Sequence, residues 1–315
     1  MQKKVTIIGA GSVGATTAFA LLTRGAASEV VLIDVDTEKA KGEALDIKQA
    51  TPFIGNCDIY AGSYEDAIDS DVVIITSGIG RKPGQSRLEL VQTNIGIIKQ
   101  ISAEIVKVCP KALYLIVANP VDILTYAFLK YTGLPKNQVF GTGTSLDTIR
   151  LRTRLAEIYN INQQQVHANV LGEHGDTSFV AWSNATIAGV PLSEFNGAIK
   201  SADYVPSEYT HEDVETYVRK SGGNIIARKG CTVYGIAMAS THIVKSFSGS
   251  ADTALTVSSL HEGEYGISDV CLSSLSLVDH TGVRSIIVQN LADEEIAKLH
   301  KSAEALKEVI KNVTF

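Results

Sequence analysis

Residues 4–36 constrain the fold more than any other stretch. The apolar run KVTIIGAG (4–11) is followed by the helically spaced SVGATTAFALLTRG (12–25) and a second apolar run, EVVLIDVD (29–36). Continuous β-rich runs predict strands buried on both faces, and such strands need helices above and below them. Gly9, Gly11 and Gly14 fall where the first strand turns into the helix, and Asp34 ends the next strand twenty residues after Gly14. This turn suits a pyrophosphate. Gly9 permits the tight bend, Gly11 lets the anion reach the backbone, Gly14 lets helix pack on strand, and the helix N-terminus favours negative charge. A carboxylate at the second strand's end accepts from a ribose 2′-OH and repels a 2′-phosphate, which favours NAD over NADP. The bland alternative is a tight turn followed by a solvated aspartate.

The alternation continues with a helix over 37–50, a short strand near 58–61, DVVIITSG (71–78), a long helix from about 87 to 108 and ALYLIVANP (112–120). Strands alternating with helices predict an α/β fold whose N-terminal part, residues 1–142, is a Rossmann doubly wound parallel sheet. Beyond GTGTSLDTIR (141–150) the pattern changes to an α+β half, residues 143–315, expected to carry the substrate and the catalytic groups. There VHANVLGEHGD (166–176) and SFVAWS (178–183) read as paired strands, and a helical region over about 211–246 is expected to break at Ser221, Gly222 and Gly223. Short strands follow near 253–260, 269–275 and 283–289. In the last helix Ile296, Leu299, Ala303, Leu306 and Ile310 recur at three- and four-residue spacing. The cleft between the halves is the default binding site.

Charge and cysteine usage narrow the function. With 34 Asp and Glu against 28 Lys and Arg, spread without blocks, the chain offers no footprint for nucleic acid or an anionic membrane. Cys57, Cys109, Cys231 and Cys271 are far apart and lack histidines at ligand spacing, so they read as reduced core cysteines with no metal site. The apolar stretch after Met1 is too short for a signal peptide, and no run approaches the roughly 18 apolar residues of a membrane span. A cytoplasmic location is expected.

A hydride exchange between NAD and a carbonyl compound needs a group that gives the carbonyl oxygen a proton, a cation to polarise the C=O and, where the compound is an acid, another to fix its carboxylate. Histidine suits the first task because it titrates near neutrality. Of seven histidines, His174 in GEHGD stands apart, flanked by glycines and charges at the end of an apolar strand. His211, His261 and His300 fall in polar helical or turn settings, and His242 on an apolar helix reads as a satisfied core residue. Asp147 and Arg150, three apart in SLDTIR, are either a helix cap with a surface ion pair or a partner for His174 with a fork for a substrate carboxylate. Tyr126 and Lys130 form a YxxxK spacing known from one class of dehydrogenases. Without that class's glycine pattern or upstream serine, they read as the surface of an amphipathic helix.

From IIGAGSVG through DIKQATPF, the Lys-Pro-Gly loop, VANPVDILT, GTGTSLDTIR, GEHGDTSFVAWS, KGCTVYGIA and the closing helix, the chain resembles the L-lactate/L-malate dehydrogenase superfamily, end to end. That resemblance implies His174 as acid/base, Asp147 as its orienting carboxylate, Arg150 as the carboxylate clamp and Arg87 as the arginine that polarises the carbonyl when its loop closes. It places Asn119 and Thr232 at the substrate. Gly9, Gly11, Ser12, Val13, Gly14, Asp34, Gly78, Asn94, Val117 and Asn119 it places along NAD. It also implies a homotetramer, and Arg152 and His167 match the positions that bind fructose 1,6-bisphosphate in allosteric bacterial members.

Substrate choice in the superfamily is read at a loop position that aligns with Arg81 in GIGRKPGQSR (78–87). Arginine there goes with oxaloacetate and glutamine with pyruvate, so this residue alone points to malate. A desolvated guanidinium left unpaired by pyruvate's methyl would cost roughly 3–5 kcal/mol. GTGTSLDT, KGCTVYGIA with Thr232 and Gly235, and EYGISDV instead resemble the lactate branch, as does the sugar-bisphosphate pair. Gln85 also departs from the glutamate common in that branch. The balance implies pyruvate reduction to L-lactate, with Arg81 turned to solvent or a loop partner and oxaloacetate as the alternative substrate.

Overall fold

The computed structural model describes residues 3–80, 84, 86–201, 203–249 and 251–315, Arg87 by its backbone only. Arg81 and Gln85 therefore lie outside the described residues, as does the side chain of Arg87.

The first half is built as β1 (Lys4–Ile8), α1 (Ser12–Thr23), β2 (Glu29–Ile33), α2 (Thr37–Ile54), β3 (Asp58–Ala61), β4 (Val72–Ile75), α3 (Arg87–Val108), β5 (Leu113–Ile116), α4 (Val121–Thr132) and β6 (Val139–Gly141). These strands pair in parallel in the order β3-β2-β1-β4-β5-β6. The order reverses between β1 and β4, which opens a crevice beyond the strands' C-terminal ends, where ligands bind in this architecture. All four residues of β4 and nearly all of β1 and β2 are buried, because helices cover both faces of the sheet. α3 starts at a capping box in which Ser86 Oγ accepts from Glu89 N and the Glu89 carboxylate accepts from Ser86 N.

The second half runs through α5 (Ser145–Tyr159), β7 (Val166–His167), β8 (Val170–Leu171), β9 (Phe179–Val180), β10 (Thr186–Ile187), β11 (Val190–Pro191), α6 (Leu192–Ala198), α7 (His211–Lys229), α8 (Tyr234–Ser246), β12 (Thr253–Glu262), β13 (Ser268–Asp279), β14 (Gly282–Ile286) and α9 (Asp293–Lys311). β8 pairs with β9 as expected, whereas β7 joins a separate sheet through β10. The strands expected to be short are long: β12 and β13 have 10 and 12 residues, and β12 pairs antiparallel with β6. The two halves thus share one nine-stranded sheet ending in an antiparallel meander. Serines hid its length. Ser258, Ser259, Ser273, Ser274 and Ser276 interrupt the apolar pattern yet are buried, and Ser273 Oγ there accepts from Thr144 N at 3.0 Å. In α9, Leu299, Ala303 and Leu306 are buried and Ile296 and Ile310 half-buried.

Four further expectations are corrected. α7 continues through Ser221, Gly222 and Gly223 and stops at Gly230, where φ is 85°; non-positive-φ glycines weaken a helix interior without ending it. His242 is exposed and His261 fully buried, the reverse of the expected settings. On α8 the buried positions Ala239, Ile243 and Val244 fix the inner face, and His242 falls outside it despite its apolar neighbours. His261 sits in β12, its ring nitrogens bonded to Ser259 O and Ser274 Oγ. Tyr126 is buried rather than on the surface, and its hydroxyl donates to Asp269, which also binds the exposed Lys130. All four cysteines are free, but only Cys109 and Cys271 are in the core, while Cys57 is half-buried and Cys231 exposed.

Candidate active site

The turn after β1 supplies the first part of the site. Gly9 has φ 111°, and a Cβ there would lie 2.6 Å from Thr76 Oγ1; a Cβ on Gly14 would lie 1.8 Å from Gly9 O. Over Gly11 nothing comes within 4 Å, so an anion can reach the backbone there. Gly11, the N-cap of α1, makes no side-chain cap, leaving the first-turn N–H groups of Ser12 and Val13 for such an anion. Asp34 accepts from Ala10 N at 2.6 Å and from Asp36 N at 2.9 Å, which anchors it beside the glycine turn with acceptor capacity to spare. A groove of about 880 Å³ runs past Asp34, Gly9 and Gly78 and shares Gly11, Thr76 and Gly78 with a second cleft of about 650 Å³. The open turn, the helix end and the carboxylate fit a dinucleotide whose ribose lies at Asp34. Replacing Gly14 with alanine is expected to weaken NADH binding by about 10- to 100-fold, since relieving such a backbone clash costs roughly 1–3 kcal/mol. Unaltered affinity in a fluorescence titration would show that the turn does not hold the cofactor.

The second cleft lies between the halves and brings together Val117, Asn119, Asp147, Arg150, His174 and Thr232. Asn94, on α3, is 1% exposed; its side chain accepts from Ile79 N at 2.9 Å and donates to Asn119 O at 2.8 Å. One asparagine therefore joins the start of the glycine loop to the turn that leads into α4.

At the inner end, His174 Nδ1 is 2.6 Å from Asp147 Oδ2, and Arg150 Nη1 donates to Asp147 Oδ1 at 2.9 Å. Asp147 sits in the first turn of α5 with Thr144 at the N-cap, so it is no cap, and its ion pair joins a buried carboxylate to a half-buried Arg150 rather than two surface groups. Burial opposes the charge on His174, but Asp147 and, less strongly, Asp122 outweigh it, and the imidazole holds its proton more firmly than an ordinary histidine. Burial likewise opposes ionisation of Asp147; His174 and then Arg150 overcome it and hold the carboxyl below its usual range. With Nδ1 committed to a carboxylate, the other ring nitrogen can exchange a proton with a ligand in the cleft.

Two family models match this chain: the lactate/malate dehydrogenase NAD binding domain over residues 3–141, and the lactate/malate dehydrogenase alpha/beta C-terminal domain over residues 144–315. The chain belongs to the lactate/malate dehydrogenase family. It is an NAD-dependent oxidoreductase with the Rossmann-type sheet and C-terminal α/β part of that family. Its relatives include an L-lactate dehydrogenase of Acetivibrio thermocellus, 44% identical over 99% of this chain and 97% of the relative, and one of Clostridium perfringens, 44% identical over 98% and 96%. Among solved structures, the ligand-bound minor L-lactate dehydrogenase of Enterococcus mundtii superposes with a TM-score of 0.94 at 40% identity, covering 100% of this chain and 99% of that one.

Sequence reasoning missed Asp122, which holds the His174 main chain from behind, and Arg219, which belongs to this family member's cleft. Arg219 lines it from α7, donating to Ser178 O and Glu215 at 3.1 Å each. Asp122, on α4, accepts from the backbone N–H of His174 at 2.8 Å. The signal for Asp122 was a lone carboxylate between apolar residues in NPVDIL; for Arg219 there was none. The YxxxK pair stays outside the cleft, and among the described residues no group of three or more His, Cys, Asp or Glu is placed to hold a metal.

Proposed function

We propose that this enzyme catalyses the reversible, NADH-dependent reduction of pyruvate to L-lactate, with residues 1–142 holding the cofactor and residues 143–315 the substrate. The observation that carries the reading is the Arg150–Asp147–His174 array, with Asp147 buried and the half-buried Arg150 and His174 facing the cleft. His174 gives a proton to the carbonyl oxygen in reduction and takes it back in oxidation, while Asp147 orients the ring and stabilises the imidazolium. Arg150, held through one nitrogen by Asp147, uses its remaining N–H groups to grip the substrate carboxylate. Asn119 and Thr232 line the pocket, and the resemblance assigns polarisation of the carbonyl to Arg87. Bound NADH supplies the hydride. Gly9, Gly11, Ser12, Val13, Gly14, Asp34, Gly78, Asn94 and Val117 position it.

Arg81 favours a second reading, in which oxaloacetate is the substrate. Relatives at 42–44% identity are named L-lactate dehydrogenase, which favours pyruvate. Initial rates of NADH oxidation decide between them: pyruvate is expected to exceed oxaloacetate at least about tenfold in kcat/KM, about 1.4 kcal/mol of discrimination. An excess for oxaloacetate would make the enzyme a malate dehydrogenase.

A cytoplasmic homotetramer responsive to fructose 1,6-bisphosphate completes the proposal. The half-buried Arg152 of α5 donates to Ala168 O and Asn169 Oδ1, the two residues that follow the exposed His167. Among the described residues no helix is long and apolar enough to cross a membrane. Repeating the assay with the sugar bisphosphate is expected to lower KM for pyruvate; an unaltered KM would remove Arg152 and His167 from the effector role.

A further inference from the structure

Asp122 is a buried carboxylate to which the proposed chemistry gives no task. It lies in the first turn of α4, is 2% exposed, and has one oxygen, Oδ1, without a hydrogen-bond partner of good geometry although the Ser258 hydroxyl of β12 is beside it. A buried, half-satisfied acid is costly, and an apolar side chain of similar size would be cheaper there.

What Asp122 touches explains its retention. The segment 172–174 is pinned by three successive N–H groups: Gly172 N donates to Ser273 O, Glu173 N to Ser302 Oγ, and His174 N to Asp122 Oδ2 at 2.8 Å. Two of these anchors fix the segment to the sheet and to α9. The third ties His174 itself to α4, while its ring is tied to Asp147 on α5. Two carboxylates on two helices thus hold the histidine, one by the main chain and one by the imidazole.

Among the described residues, the charged and titratable groups facing Asp122 are few. Glu173 and His174 face it from the segment before β9, with Asp147 and Arg150 of α5 behind the imidazole, and the Cys271 thiol faces it from β13. Burial pushes that thiol well above its usual range, so it stays neutral. Burial also raises Asp122 to about 6, against the Ser258 hydroxyl and the N–H and positive charge of His174, so above that pH Asp122 is a fixed negative charge.

We propose that Asp122 is a positioning residue for His174: it fixes the histidine's main chain and, through its negative charge, helps the imidazole keep its proton. This rests on the acid/base reading of His174. Reduction uses protonated His174 and fails as pH rises; oxidation uses the neutral ring and fails as pH falls. Removing the charge of Asp122 makes the imidazolium easier to deprotonate, so both limbs must move to lower pH.

The test is the pH dependence of kcat/KM in both directions for the wild type, Asp122→Asn, Asp122→Leu and His174→Ala, with NADH binding measured for each. In D122N the amide oxygen still accepts the His174 N–H, and both limbs shift downward. In D122L the limbs shift likewise and kcat falls about 10- to 100-fold as His174 loses its anchor. Limbs that stay in place in a variant that binds NADH would overturn the inference, as would loss of NADH binding by both Asp122 variants, which would make the role purely structural. A wild-type rate in His174→Ala would bring down the acid/base reading itself. Collapse there with unmoved limbs in D122N would bring down this inference alone.

Discussion

Replacing His174 with alanine lowers kcat for 2-oxo acid reduction by about 10³- to 10⁴-fold while NADH binding persists. General acid catalysis by a positioned group contributes roughly 10²- to 10⁴-fold, and groups that act as a unit lose most of their effect when any one is removed. Here the unit is visible: the ring is 2.6 Å from Asp147, and Asp147 is 2.9 Å from Arg150. Alanine also strands the buried Asp147, which among the described residues keeps the Arg150 guanidinium as its side-chain partner, so some stability is lost as well. Cofactor binding separates the two effects, because the glycine turn and Asp34 follow β1 and β2, on elements other than α5 and the His174 segment. A variant that binds NADH as the wild type does and turns over within tenfold of it would show that another group delivers the proton.

The nucleotide half was legible in the sequence because its signals are local. The turn at Gly9, Gly11 and Gly14, the run of 72–75 and the position of Asp34 each follow from residues within one βα unit, and backbone sterics leave them little choice. The array of Asp147, Arg150 and His174 was not legible in that way. Its members are separated by up to 27 residues, and spacing left a helix cap and a surface ion pair equally open. Resemblance placed them before geometry did. The reversal of His242 and His261 shows why local composition misleads. A single position's burial depends on helical phase in α8 and on the neighbours of β12 across the sheet, and an apolar window carries neither. Asp122 was missed for a related reason: a carboxylate in an apolar helix gains its meaning from a backbone N–H 52 residues away.

Exchanging Arg150 for lysine lowers kcat/KM for the 2-oxo acid by roughly 10²- to 10³-fold, or about 3–4 kcal/mol, even though the charge is kept. In the proposed reaction the guanidinium has two tasks that a point charge cannot share. One nitrogen is bound to Asp147 Oδ1 in a nearly closed environment, with side-chain exposures of 13% for Arg150 and 8% for Asp147. The rest of the planar fork faces the cleft, beside the Cβ-free surface of Gly222 on α7, whose added Cβ would lie 3.7 Å from Arg150 Nη2. A lysine ammonium is shorter in reach and lacks the fixed fork, so it can neutralise Asp147 or meet the substrate carboxylate but not do both in one geometry. The loss should fall mainly on KM, with NADH affinity retained, because a carboxylate contact is made in the ground state as well as the transition state. A loss confined to kcat would reassign Arg150 from gripping the substrate to supporting Asp147, and an unaltered kcat/KM would remove it from the site.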